Sequence, residues 1–188
     1  MASRPCEYFL FHPNFNKSKL NKRFFHVSQD ISNVTSHNVY DIYPHFFIDF
    51  RKEQEKLNRA HLIVLQFPFY WYSTPALLKE WLDQTLLHGY AYGHGGNALS
   101  GKGLQLLVTC GGDTNAYRRE GSNLFSVTEL LRPFEATANL CKMIYLEPFI
   151  FHGSDFKAEQ LTFSCISWAK YLKNLIDSTH PLIPYSTL

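Results

Sequence analysis

Apolar positions along the chain fall into two alternating rhythms. β-rich apolar segments at 7–11, 38–42, 61–66, 104–109 and 142–151 predict five strands. Apolar residues recurring on one helical face predict helices over 18–29, 49–59, 75–88, 126–140 and 158–177. The third and fourth strands are nearly continuous in apolar residues, the pattern of parallel strands covered on both faces. The third helix carries Leu77, Leu78, Trp81, Leu82, Thr85 and Leu86 on one stripe, with Pro75 in its first turn, where a missing N–H costs nothing. The fifth helix repeats such a stripe in Leu161, Cys165, Trp168, Tyr171, Leu172 and Leu175. Strict alternation predicts an α/β three-layer sandwich, a five-stranded parallel sheet of order 2-1-3-4-5 with helices on both faces. With 188 residues and no repeat or linker, one domain over 1–188 is expected, long enough to bury roughly 70% of its unfolded surface.

In this topology a ligand lies beyond the carboxyl ends of the strands beside the switch point, here strands one, three and four. Three loops become candidates: 12–21, 68–75 and 109–123. The first brings Ser18 and Lys19 to a helix start, where free N–H groups and the helix dipole favour an anion; an ordinary Ser cap with solvated lysines reads the same way. The second holds four consecutive aromatics, Phe69, Tyr70, Trp71 and Tyr72, either packed onto the core or forming the edge of a site for a flat ring. The third holds Gly111 and Gly112 at a strand end, which lets backbone approach a ligand closely or simply makes a tight turn. Tyr117 follows, with a hydroxyl able to donate to a developing anion.

Composition narrows the function classes. Hydrophobic residues make up 45%, charged residues 18% and aromatics 16%, and the net charge is +2. With no dense basic block, a nucleic-acid partner has little electrostatic support. Cys6, Cys110, Cys141 and Cys165 show no CxxC or zinc spacing and read as reduced thiols of a cytoplasmic protein. Neither a signal-peptide pattern nor an 18-residue apolar span is present. The P-loop, G-x-G-x-x-G and G-x-S-x-G signatures are absent, and no paired carboxylates occur in the three loops. His88 and His94 have no acidic or thiol partner at ligand spacing, so the linker 88–96 reads as an aromatic flap that covers a site or meets a second subunit.

Segments 66–83, 89–96 with Leu99-Ser100-Gly101-Lys102, 109–112, and 130–138 occur here in one order. In them the chain resembles the NAD(P)H:quinone oxidoreductases of the flavodoxin-like superfamily. It is most similar to the bacterial branch that includes the ancillary reductase of the glutathione-regulated potassium-efflux system. The resemblance covers about residues 6 to 155.

That resemblance implies a flavodoxin-like fold and a flavin cofactor, FMN in preference to FAD, because the long C-terminal extension of the FAD-binding mammalian members is missing. It implies two-electron, ping-pong hydride transfer from NADH or NADPH through the flavin to a quinone. By matching position, His12, Ser18, Lys19, Leu20 and Asn21 would hold the phosphate end, and Phe69 to Tyr72 the ring edge. Thr109, Cys110, Gly111 and Gly112 would meet its pyrimidine side. Tyr117 would act catalytically with Gly111 and Asn123, although Asn123 stands where mammalian members carry a histidine, and Asn does not titrate near neutrality. Trp71, Tyr72 and Gly112 would line the substrate pocket, joined by Tyr92 and His94 reaching into the neighbouring subunit of a homodimer. A regulatory subunit of the potassium-efflux transporter, peripheral at the inner membrane, is the alternative, and an electron carrier without turnover a third reading.

Overall fold

The computed structural model describes residues 4–153 and 157–185. The sheet runs in the order β2-β1-β3-β4-β5, all parallel, from β1 (Cys6–Leu10), β2 (Val34–Asn38), β3 (Leu62–Pro68), β4 (Gly103–Cys110) and β5 (Ile144–Tyr145). A sixth strand, β6 (Phe149–His152), also pairs with β4. The predicted order holds because β1, β3 and β4 are buried along their whole length.

Side chains alternate across the sheet, and each face has its own core. Tyr8, Leu10, Leu62, Val64 and Leu107 pack against α1 (Leu20–Gln29) and α7 (Ala158–Asp177). Phe9, Phe11, Ile63, Leu65, Leu106 and Val108 pack against α3 (Phe50–Arg59), α4 (Ala76–Thr85) and α6 (Arg132–Leu140). No helix among the described residues is long and apolar enough to cross a membrane.

Several elements differ from the sequence reading, in their ends or in their number. The second strand is 34–38, and the expected strand at 38–42 is instead the short helix α2 (Val39–Ile42). At the sheet edge β2 is only half-buried, so its polar residues VTSHN hid it. Helix one begins at Leu20, after a 3-10 turn at Phe15–Lys17. Helix three stops at Thr85 as the chain turns toward a His88–Tyr92 bridge through Gly89, at φ 80°. The fourth helix is two, α5 (Val127–Leu130) and α6, because Pro133 offers no N–H and its ring crowds the carbonyl four residues back. The fifth strand is likewise two. Ile144 opposes Gly103 while Phe149 opposes Leu107, a slip of one residue across Leu146-Glu147-Pro148. Pro148 has no ladder donor to give, and the Glu147 carbonyl accepts instead from Gln105 Nε2 at 2.8 Å.

Candidate functional site

The loop after β1 is held at both ends. His12 is 7% exposed, and its Nδ1 accepts the Asn14 N–H at 3.1 Å, so the neutral ring carries its proton on Nε2. Burial lowers its pKa and keeps it neutral. Ser18 Oγ accepts from the Asn21 backbone N–H (3.2 Å) and Nδ2 (3.3 Å). That capping bond leaves the hydroxyl proton free to donate outward. The N–H groups of Lys19 and Leu20 have no protein acceptor among the described residues, and the Lys19 side chain is exposed. Two free N–H groups, one hydroxyl and one ammonium at the start of a ten-residue helix make an anion cradle.

Asn21 is 2% exposed and its side chain is consumed inside the protein. Its Nδ2 donates to Thr109 Oγ1 at 2.9 Å, and its Oδ1 and backbone carbonyl both accept from Gln66 Nε2 at 2.9 Å. Tyr8 donates to Gln66 Oε1 at 2.8 Å. This satisfied buried network ties α1 to the ends of β1, β3 and β4, and so fixes the cradle relative to the other two loops. Sequence reasoning singled out Asn21 and Thr109 and missed Gln66 and Tyr8. A lone Gln inside an apolar strand was the available signal, since a buried amide must find partners.

The aromatic turn is a two-residue hairpin. Tyr70 and Ser73 exchange backbone bonds (3.2 and 2.9 Å), and Trp71 and Tyr72 between them have φ of 49° and 60°. Type I′ geometry of this kind favours Asn-Gly, and bulky residues there are strained. Trp71 is 93% exposed, so it does not recover that cost by burial. Tyr72 donates to Asn123 Oδ1 at 3.1 Å. The turn therefore holds two ring side chains and two N–H groups, neither engaged by a protein acceptor among the described residues, at the mouth of the sheet. Trp71→Asn is expected to relax the turn and raise Tm by about 2–4 °C, for roughly 1 kcal/mol of relieved strain. A thermal melt checks this, and a lower Tm would refute the strain assignment.

Across from the turn, Phe69 N–H donates to the Thr109 carbonyl at 2.8 Å. Burial pushes the Cys110 thiol up to about 12, so it stays protonated, and its carbonyl is taken by the Gly153 N–H at 2.7 Å. A Cβ at Gly111 would meet nothing within 4 Å, whereas one at Gly112 would lie 2.9 Å from the Tyr117 ring. Tyr117 packs edge-on against Phe69 (5.9 Å, 65°), and burial raises its pKa. Its other neighbour is His152, ring to ring at 5.8 Å, a residue the sequence reading did not select. The signal was a His-Gly pair just past the last apolar run.

The three loops enclose a cleft of about 390 Å³ lined by His12, Ser18, Lys19, Leu20, Asn21, Phe69, Tyr70, Thr109, Cys110 and Gly111, together with Pro68 and Gly153. Ten of the expected binding residues thus converge there. Gly112 and Tyr117 stand behind Gly111 and Phe69, and Asn123 meets Tyr72 through its side chain. Tyr92 and His94 do not reach this cleft within their own chain; Tyr92 packs against the His88 ring at 5.6 Å. Larger openings of about 500 Å³ beside α7 and 550 Å³ under residues 178–185 gather no comparable set of donors from strand ends.

A model of the flavodoxin-like fold matches residues 9–170. The chain is 42% identical over 176 residues to the glutathione-regulated potassium-efflux system ancillary protein KefG of Serratia proteamaculans (strain 568), covering 93% of this chain and 96% of that one. Among solved structures, the general stress protein 14 of Treponema denticola in complex with FMN superposes with TM-score 0.87 and 37% identity, over 91% of this chain and 99% of that one. An NADPH-quinone reductase from P. pentosaceus superposes with TM-score 0.82 and 31% identity, over 94% and 99%. Sheet order, three converging strand-end loops and a matched span of most of its length agree, and the chain belongs to the flavodoxin-like family.

Proposed function

We propose that this protein is an FMN-dependent NAD(P)H:quinone oxidoreductase, one flavin-binding domain over 1–188. The observation that carries the reading is the pairing of a phosphate-type cradle at Ser18–Leu20 with a strained aromatic turn of free N–H groups at Trp71–Tyr72. The residues fit the group: Gly111 leaves open space where a side chain would intrude, and one anion cradle suits one phosphate. FAD, the second choice, needs a further platform for its adenine. The T. denticola relative binds FMN, which supports the first choice.

When bound, FMN would accept a hydride from NADH or NADPH and pass two electrons to a quinone. Ser18, Lys19 and Leu20 hold the phosphate, with the Nε2–H of neutral His12 as a further donor. The N–H groups of Trp71, Tyr72, Gly111 and Gly112, none with a protein acceptor among the described residues, would donate to the ring edge and stabilise negative charge there. Trp71, Tyr72, Gly112 and Tyr117 border a stacking site used in turn by nicotinamide and quinone. In a homodimer, Tyr92 and His94 of one copy complete the pocket of the other. The Tyr117 hydroxyl would donate a hydrogen bond near the ring, while Asn123 acts by holding Tyr72.

The potassium-efflux ancillary relatives favour a second reading, a cytoplasmic subunit held peripherally at the inner membrane by a transporter. Pull-down with a cation/proton antiporter tests it. For the main reading, the purified protein should show a flavin spectrum, release FMN by mass, and give parallel double-reciprocal lines with NAD(P)H and a quinone. A colourless protein that takes up neither FMN nor FAD would overturn it.

A further inference from the structure

The end of β6 grips the glycine loop from behind through two successive residues. The Gly153 N–H donates to the Cys110 carbonyl at 2.7 Å, and His152 Nδ1 lies 3.0 Å from the Gly112 carbonyl. A carbonyl only accepts, so Nδ1 carries the proton in this contact. Gly153 is itself confined, since a Cβ there would meet Leu20 Cδ1 at 2.8 Å and the Cys110 carbonyl at 3.1 Å. The Tyr117 ring rests on the hydrogen face of Gly112 and touches the His152 ring. Moving the Gly112 carbonyl therefore moves both the N–H groups of the loop and the seat of Tyr117.

We propose that His152 is a positioning residue for the site, its Nδ1–H holding the Gly112 carbonyl so that Gly111, Gly112 and Tyr117 are presented to the cleft as one rigid unit. The inference rests on the flavin-binding reading above for its consequence, though not for its geometry. A histidine thus stands beside Tyr117, though not at position 123, where the resemblance implies one. Asn123 is occupied by Tyr72, and the histidine next to Tyr117 arrives instead from the last strand.

Two substitutions separate the donor from the ring. Asn places an amide N–H near the Nδ1 position, whereas Phe keeps a ring and has no donor. In the full-length protein without flavin, hydrogen exchange at the bonded amides that hold the loop, Ala116 and Gly153, should be about fivefold faster in His152→Phe, as for one lost hydrogen bond, and within twofold of wild type in His152→Asn. In a fluorescence titration, FMN should bind about fivefold more weakly to His152→Phe and near wild-type strength to His152→Asn, with Tm of both close to wild type. Phe indistinguishable from wild type in exchange, or Asn as damaging as Phe, would overturn the proposal. If wild type fails to bind FMN, the flavin reading falls, and the exchange comparison still decides the role of His152.

Discussion

Ser18→Asp is expected to abolish FMN binding while leaving the fold intact. Asp caps a helix as well as Ser, so its carboxylate can accept the Asn21 N–H that Ser18 Oγ accepts now. The same carboxylate would stand where the cradle turns its free N–H groups and hydroxyl outward. Two unit charges about 4 Å apart near a protein surface repel by about 4 kcal/mol, and a phosphate carries more than one. Even with half of that screened, affinity should fall about 100-fold or more. Fluorescence quenching of free FMN by the variant measures the loss directly. Binding within tenfold of wild type would remove Ser18 from the anion site.

The second large effect lies away from the cleft. Glu53 is fully buried, and its carboxylate accepts from Tyr43 OH at 2.7 Å, Trp81 Nε1 at 2.8 Å and Lys56 Nζ at 2.5 Å. It joins α3 to α4 and to the segment after α2. Glu53→Ala strips three donors of their acceptor, two of them buried, and leaves a void, a loss of about 3–5 kcal/mol. For a chain of this length that lowers Tm by about 10 °C. Glu53→Gln keeps one carbonyl oxygen and should lose only about 1–2 kcal/mol. Differential scanning calorimetry of the pair reads the difference. Equal melting points for Glu53→Ala and wild type would show the network to be neutral.

Hydrophobic periodicity alone located β1, β3, β4 and α7 because each presents an unbroken buried face. It failed at β2, where His37 is matched instead to Glu7 at 2.6 Å and stacks on Phe9, contacts that no local pattern announces. The loops of the site were legible from topology, and their cleft residues from position. The bonds between loops were not. Tyr72 finds Asn123 and Gly112 finds His152 across 51 and 40 residues, and such pairings are set by the packed sheet rather than by neighbouring sequence.

The one-residue slip between β5 and β6 works as a change of phase. Ile144 and Phe149 both point to the α1/α7 side, although one is even-numbered and the other odd, while Tyr145 and Ile150 point to the opposite side. Removing a single residue from 146–148 would restore strict alternation with Phe149 still on the same side as Ile144, so the extra residue is a bulge in the last strand. Strict alternation through all three connector residues would instead turn Phe149 and Phe151 out of the α1/α7 core and swing the imidazole of residue 152 away from the Gly112 carbonyl. The bulged residue in this short connector thus sets which side the last strand presents to the glycine loop, and homologous chains with one residue fewer there would keep the same facing without a bulge.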